Sequence, residues 1–394
     1  MLVPESIQLF AVPFACGRHG AISAIQKGYK DRLFYLYIDQ SDIIRGYDDA
    51  IVQAVEQVLS FVERRPRVML IFVSCLDDLI GTDHEALMDR LSEKYPDIIF
   101  RDCHMNPISK GGKMPPPVNI QRRVFGLLSP AAEKDMGVNL VGNLVDIPPE
   151  CELHQVLRDK GLGPLRHITQ YDTFDGFQQM ARSQANLVLM PAARYAAEQM
   201  NRSLKIPYLY LPVSYRLETI DEQYRQIHQM LLSQRNGDAF DLEIPRMRAS
   251  QAIEKARSAV GDTPVIVDAS ATAHPFDLAR ALMEYGFSVR RIAAQECPAC
   301  DQDNMRWVME HHPEVEILQP RHHRVLKKEL VLHDSLAVGV DGGYLSQARY
   351  VVPLFYDEGM FGYDGVTKLM NMMIEGMEGT ADLEHIIEEI GLVV

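Results

Sequence analysis

Short apolar runs alternate along this chain with longer stretches in which apolar positions return every three or four residues. The short runs read as strands buried on both faces and the longer ones as amphipathic helices. Strands are expected over 33–38, 68–74 and 97–101, and helices over 47–63, 84–95 and 120–133, with a Gly- and Pro-rich loop over 106–118. A second series sets strands over 138–143, 166–169, 186–190 and 206–211 against helices over 152–160, 174–183 and 192–204, and a polar connector follows over 219–238. A third opens with a helix over 246–260 and continues through strands over 264–268, 288–292, 307–311, 315–318, 336–339 and 350–353. Its helices are expected over 276–285, 365–377 and 382–390. Such alternation is the signature of βαβ units in parallel sheets, so the chain is read as α/β in three blocks, 1–135, 136–245 and 246–394.

At 394 residues each block has enough chain to bury its own core. A net charge of −14 argues against nucleic acid as a partner, because a phosphate backbone demands a basic face. The Lys327-Lys328 pair is too short to alter this. Six cysteines, irregularly placed, do not make a disulfide scaffold. The N-terminus lacks a basic n-region, and no apolar run approaches the roughly 18–20 residues of a membrane span. A protein of the reducing cytoplasm is expected.

Nucleotide fingerprints are missing. Gly112-Lys113 lacks the earlier glycine and the Ser or Thr of a phosphate loop, and Gly161-Leu-Gly163 follows a helix and reads as a helix stop. The cysteines are more informative. Cys16, Cys75 and Cys103 each follow an apolar β-type run, and ligands gather outside the carboxyl ends of strands in open parallel sheets. Three thiolates converging there are most of an iron–sulfur ligand set. In Phe14-Ala-Cys-Gly-Arg-His-Gly-Ala21, Gly17 and Gly20 would let backbone N–H groups approach a bulky anionic core. Cys75 precedes a helix start, where the dipole favours a thiolate. The competing reading is three small buried side chains, a common fate of free cysteine.

Four segments tip this balance: Cys16-Gly-Arg-His-Gly-Ala21, Ser74-Cys-Leu-Asp-Asp-Leu-Ile-Gly-Thr-Asp83, Val138-Asn-Leu-Val-Gly142 and Gly362-Tyr-Asp-Gly365. Their order resembles that of the nitrogenase component 1 family, which includes molybdenum–iron protein subunits and the catalytic subunits of dark protochlorophyllide reductase. The resemblance spans essentially the whole chain and implies three Rossmann-like domains. It implies that Cys75 ligates an iron–sulfur cluster, of 4Fe-4S type, at a subunit interface. Cys16 and Cys103 complete the expected set, with Asp39, His104 and His19 as candidates for a further ligand.

The sequence also departs from the family. A second cysteine motif falls near Leu36-Tyr-Ile-Asp-Gln-Ser-Asp42, which has no cysteine. Met190 stands about where the cofactor-holding cysteine would be, and the approach to Gly362 carries no histidine. The resemblance therefore implies a reductase acting on something other than dinitrogen, such as a tetrapyrrole-like substrate in an interdomain cleft. It would work with a separate ATP-dependent iron–sulfur reductase protein and pair with another component 1 chain, identical or related. A metallocluster assembly scaffold is the alternative.

Other residues invite attention. His274 follows a strand and opens a helix, a place suited to an anionic group, with His274 as proton donor. Cys297-Pro-Ala-Cys300 has redox or metal spacing, against a plain loop. Cys151 is read as structural, and His322 and His323 as surface residues.

Overall fold

The computed structural model describes residues 3–13, 16–26, 28–106, 114–232, 238–322, 325 and 330–390. Gly112, Lys113, the connector residues 233–237, His323 and the Lys327-Lys328 pair lie outside them, as does the side chain of His19.

Thirteen strands are described: β1 (Ser6–Val12), β2 (Leu33–Tyr37), β3 (Val68–Val73), β4 (Ile99–His104), β5 (Val138–Val141), β6 (Leu165–Arg166), β7 (Ala185–Val188), β8 (Tyr208–Tyr210), β9 (Val265–Asp268), β10 (Val289–Ala293), β11 (Glu316–Leu318), β12 (Leu336–Val338) and β13 (Tyr350–Val352). They form sheets of order β2-β1-β3-β4, β6-β5-β7-β8 and β11-β10-β9-β12-β13, one within each expected block. Every pairing in the first and third sheets is parallel.

Compactness divides the chain differently from the three expected blocks. One unit holds Met1–Gly142, Arg166–Asn186 and Ala192–Tyr208, and the other Asn143–Leu165, Leu187–Pro191 and Leu209–Val394. The middle block is discontinuous because its segments contribute to both units.

In the first unit β3 is buried at every position, as a central parallel strand requires. Leu9, Ile71 and Phe100 pack on one face of the sheet with Val55 and Leu91 from the helices Asp48–Phe61 and His84–Lys94. The opposite face carries a register row, Tyr35–Phe10–Phe72–Cys103. The Phe10 ring stacks on Tyr35 at 5.4 Å and on Phe72 at 4.4 Å.

Two sequence expectations change. Residues 307–311 end a helix, Gln302–His311, and do not form a strand. A short apolar run does not by itself distinguish the two, and within this helix Val308 alone is buried. The last strand of the first sheet runs on to His104, so Cys103 lies inside it and not beyond it.

In the second unit, Gly362-Tyr-Asp-Gly365 opens the helix Gly362–Gly376. Glu152, buried at the start of the helix Glu152–Asp159, turns its carboxylate onto that opening. Tyr363 N–H donates to Oε1 at 2.6 Å, Asp364 N–H to Oε2 at 3.0 Å, and the Tyr224 hydroxyl to Oε1 at 2.7 Å. A carboxylate facing unpaired helix N–H groups is favourable, although burial pushes the Glu152 carboxyl up. The motif needs its first glycine because φ is +60° there and a Cβ would lie 2.1 Å from Glu152 Oε1.

Glu152→Gln places an NH2 group against donors, so it is expected to lower unfolding free energy by about 1–3 kcal/mol. Gly362→Ala is expected to cost at least as much. Because both break one interaction, the double variant should lose less than the sum, measured by urea unfolding.

Candidate functional site

Strand order in the first sheet reverses between β1 and β3, and the crevice beyond the carboxyl ends of two such strands is where open α/β sheets bind ligands. Chain leaving β1 reaches Cys16, and chain leaving β3 reaches Cys75.

Cys75 is the first residue of the helix Cys75–Ile80, and the surrounding motif is helix-ending chemistry. Ser74 caps by accepting from Leu76 N–H at 3.2 Å, and Asp77 returns the bond by accepting Ser74 N–H at 3.1 Å. Gly81, at φ +72°, closes the helix in the left-handed conformation. Asp83 caps the next helix by accepting Ala86 N–H at 3.0 Å. Within Ser-Cys-x-Asp-x-x-x-Gly-x-Asp, Ser74 and Asp77 thus fix Cys75 at a helix start, while Gly81 and Asp83 end that helix and begin the next. Asp77 is itself buried, and burial pushes its carboxyl up to about 6.

Cys16 N–H donates to Pro13 O at 3.0 Å, and its own carbonyl accepts the Tyr35 hydroxyl at 3.0 Å. Burial raises its thiol, and the charge of nearby Cys75 raises it further. Gly17 and Gly20 meet aromatic rings here. A Cβ on Gly17, at φ +81°, would lie 2.4 Å from Tyr35 Oη, and one on Gly20 would lie 3.0 Å from Phe10 Cζ. Their smallness is accounted for by packing on the aromatic row, a role different from the expected approach of N–H groups to a cluster.

Cys103 sits at the far end of that row from Tyr35 and is fully buried. Burial, then the Asp102 charge, pushes its thiol up to about 12. Cys16 and Cys75 thus follow the two strands that flank the switch point, near enough for the charge of one to act on the other, while Cys103 is held as a sealed, protonated thiol. Among the described residues no three His, Cys, Asp or Glu side chains are gathered so as to hold a metal ion. Asp39 is engaged as a helix cap, accepting Ser41 N–H at 2.7 Å and Asp42 N–H at 2.9 Å. His104 Nε2 lies 2.9 Å from Asp102 Oδ2.

A polar cluster beside these thiols had no sequence signature. Asp102 bonds both His104 and Arg123, the latter at 2.6 Å, and the His104 ring meets His84 edge-on at 4.5 Å. Burial alone would raise the Asp102 carboxyl, but His104 and Arg123 hold it below the ordinary carboxylate range. A cleft of about 360 Å³ opens here, lined by His84, Met88, Arg101, Asp102 and Arg123. Asp102 and His104 share β4, but Arg123 and His84 come from two different helices, which is why spacing did not reveal the cluster.

In the second unit His274 caps no backbone group with its side chain and is almost fully buried. Burial takes it down to about 4, so its ring is neutral at pH 7 and is not the charged proton donor of an anion site. Its Nε2 lies 3.2 Å from Cys300 Sγ and 3.3 Å from the Tyr210 hydroxyl. Cys151 is buried, with its Sγ donating to Phe361 O at 3.7 Å, a structural role.

Residues 13–378 match the family model for nitrogenase component 1 type oxidoreductases. A curated relative, the nitrogenase iron-molybdenum cofactor biosynthesis protein NifE of Clostridium pasteurianum, is 20% identical over 215 residues, 52% of this chain. That match spans 46% of the relative's own length, a little under half. The solved structure "Nitrogenase Cp1 at pH 6.5" superposes with a TM-score of 0.69 at 13% identity, covering 98% of this chain and 90% of that one. The same protein at pH 5 gives 0.64 at 14% identity, covering 95% and 85%.

Because the folded Asp102 carboxyl lies below its ordinary value of 3.8, its contribution to stability is complete above that pH and is lost as pH falls through the folded value. Asp102→Asn is expected to cost roughly 1.5–3 kcal/mol at pH 7. It should cost progressively less below pH 4, read by urea unfolding at each pH.

Proposed function

We propose that this chain, which belongs to the nitrogenase component 1 type oxidoreductases, is the catalytic component of a nitrogenase-like reductase. It accepts electrons from a separate ATP-dependent iron–sulfur reductase protein and delivers them to an unsaturated substrate of tetrapyrrole-like chemistry. Dinitrogen is disfavoured because Met190 stands about where a cofactor cysteine would be and the approach to Gly362, residues 352–359, carries no histidine.

What supports this reading is that Cys16 and Cys75 follow β1 and β3, the two strands at the switch point of the first sheet, within reach of each other's charge. Two thiols at one sheet edge suit an iron–sulfur cluster but supply only half of a four-thiolate set. The remaining ligands would come from Cys103, after its release from the strand, or from a second component 1 chain. When bound, the cluster supplies one-electron storage at a potential set by its thiolates and their hydrogen bonds. The chain's own part is positional: the capped helix start fixes Cys75, and Tyr35 pins the loop of Cys16.

A second reading, a scaffold for metallocluster assembly, is favoured by the likeness to a protein whose name assigns it to cofactor biosynthesis. We place the protein in the cytoplasm. Among the described residues no helix is long and apolar enough to cross a membrane.

Protein purified without oxygen is expected to carry iron and a paramagnetic signal on reduction, and Cys75→Ser to lose most of both. Iron-free protein, or an unchanged metal load in Cys75→Ser, would overturn the cluster. Cys103→Ser should reduce iron content less than Cys16→Ser. Turnover with an ATP-dependent reductase partner separates enzyme from scaffold, since a scaffold releases its cluster and forms no reduced product.

A further inference from the structure

In the third sheet the strand order reverses between β9 and β12, and the loops that follow β9 and β10 carry chemistry that the proposed function leaves unused. The first loop ends at His274. The second holds Cys297-Pro-Ala-Cys300, in which Ala299–Asp301 form a tight 3-10 turn. Cys297 stands just before this turn and Cys300 within it, close enough that the charge of Cys300 acts on the Cys297 thiol.

Their surroundings differ. Cys300 is exposed, and its sulfur is met by His274 Nε2 at 3.2 Å and the Tyr210 hydroxyl at 3.5 Å. Tyr210 and His274 also touch each other at 3.3 Å, which closes a triangle of polar atoms. His274 Nδ1 is buried with no partner. An unpaired buried N–H is the rarer and costlier orphan, so the ring proton belongs on Nε2, aimed at Cys300. Neutral His274 therefore donates to the sulfur, and so does the Tyr210 hydroxyl. Cys297 is only half-buried, but its S–H faces Pro298 O at 3.5 Å, and burial with the Asp301 charge pushes it up to about 11.

We propose that Cys297 and Cys300 form a reversible dithiol–disulfide couple, with Cys300 as the attacking thiol and Cys297 as the resolving one. Its partner is a small-molecule disulfide. Cys300 loses its proton to solvent, and the thiolate attacks one sulfur of that disulfide. The disulfide's S–S bond breaks, its other half leaves as a thiol after taking a proton, and a mixed disulfide forms on Cys300. Cys297, deprotonated in turn, attacks the Cys300 sulfur, closes the Cys297–Cys300 bond and releases the second thiol. The protein gives up two electrons, and the small molecule is reduced to two thiols.

The test is exposure of the fully reduced full-length chain, without oxygen, to oxidised glutathione, followed by alkylation and mass analysis of the peptide containing residues 297 and 300. This readout does not depend on iron at Cys16 or Cys75. Wild type should accumulate the internal disulfide. Cys297→Ser should trap glutathione on Cys300, and Cys300→Ser should acquire it on Cys297 at least tenfold more slowly. Tyr210→Phe, which removes only a hydroxyl, should slow adduct formation on Cys300 several-fold, and His274→Gln should shift the equilibrium between dithiol and disulfide in glutathione buffers. Both thiols remaining free, equal rates in the two serine variants, or a tightly held zinc ion lost on either serine substitution would each overturn the proposal.

Discussion

A parallel sheet imposes one geometric constraint from which most of this molecule follows. Its strands are buried on both faces, so they can carry little but apolar side chains, and all their carboxyl ends lie along the same edge. Polar chemistry is thereby expelled from the strands into the loops along that edge. β3, buried at all its positions, illustrates the first half of the rule, and Ser74-Cys75, which follow it directly, illustrate the second. The same constraint acts in the third sheet, where apolar β9 ends at Asp268 and the following loop leads to His274. Two candidate sites of different chemistry, one in each unit, thus arise from one topological rule.

The buried acids serve this arrangement as backbone caps. Asp77 receives Ser74 N–H, Glu152 receives Tyr363 and Asp364 N–H, and Asp268 receives Ser270 N–H at 2.9 Å and Gly342 N–H at 2.6 Å. Burying a carboxylate costs free energy, and backbone donors at helix starts are among the few partners able to offset it. Each cap also demands room. Gly362 and Gly339 are glycine because a side chain there would collide with Glu152 or Asp268, the latter 2.6 Å away. The motifs that link this chain to its family are to this extent folding devices. They set the position of Cys75 without saying what it binds.

The alternation of apolar runs made the sheets legible, since every expected strand except 307–311 lies near an observed one. Cys16 and Cys75 were legible as well, because both stand just past a strand end. Cys103 was misread by a single structural step. The strand continues through Arg101-Asp-Cys-His104, and in a strand neighbouring residues point to opposite faces, so the thiol enters the aromatic row. Arg123 with Asp102, and His274 with Cys300, were beyond sequence reasoning because each pair joins elements distant along the chain. Spacing rules detect partners only within one turn or one loop.

The burial of Cys103 bears on how a cluster is acquired. A thiol raised to about 12 by burial and by a neighbouring carboxylate is a poor ligand until it is deprotonated. Cys16 and Cys75 follow the strand ends and are only partly buried, so neither has to leave a strand to be reached. On the proposed reading, metal arriving at this edge would meet Cys16 and Cys75 first, and a third bond from the same chain would require the β4 end to loosen. A second subunit offering thiols to the same edge avoids that cost. Under the proposed function, sharing a cluster between chains would be the less costly arrangement, with the residues that follow β1 and β3 as this chain's share of it.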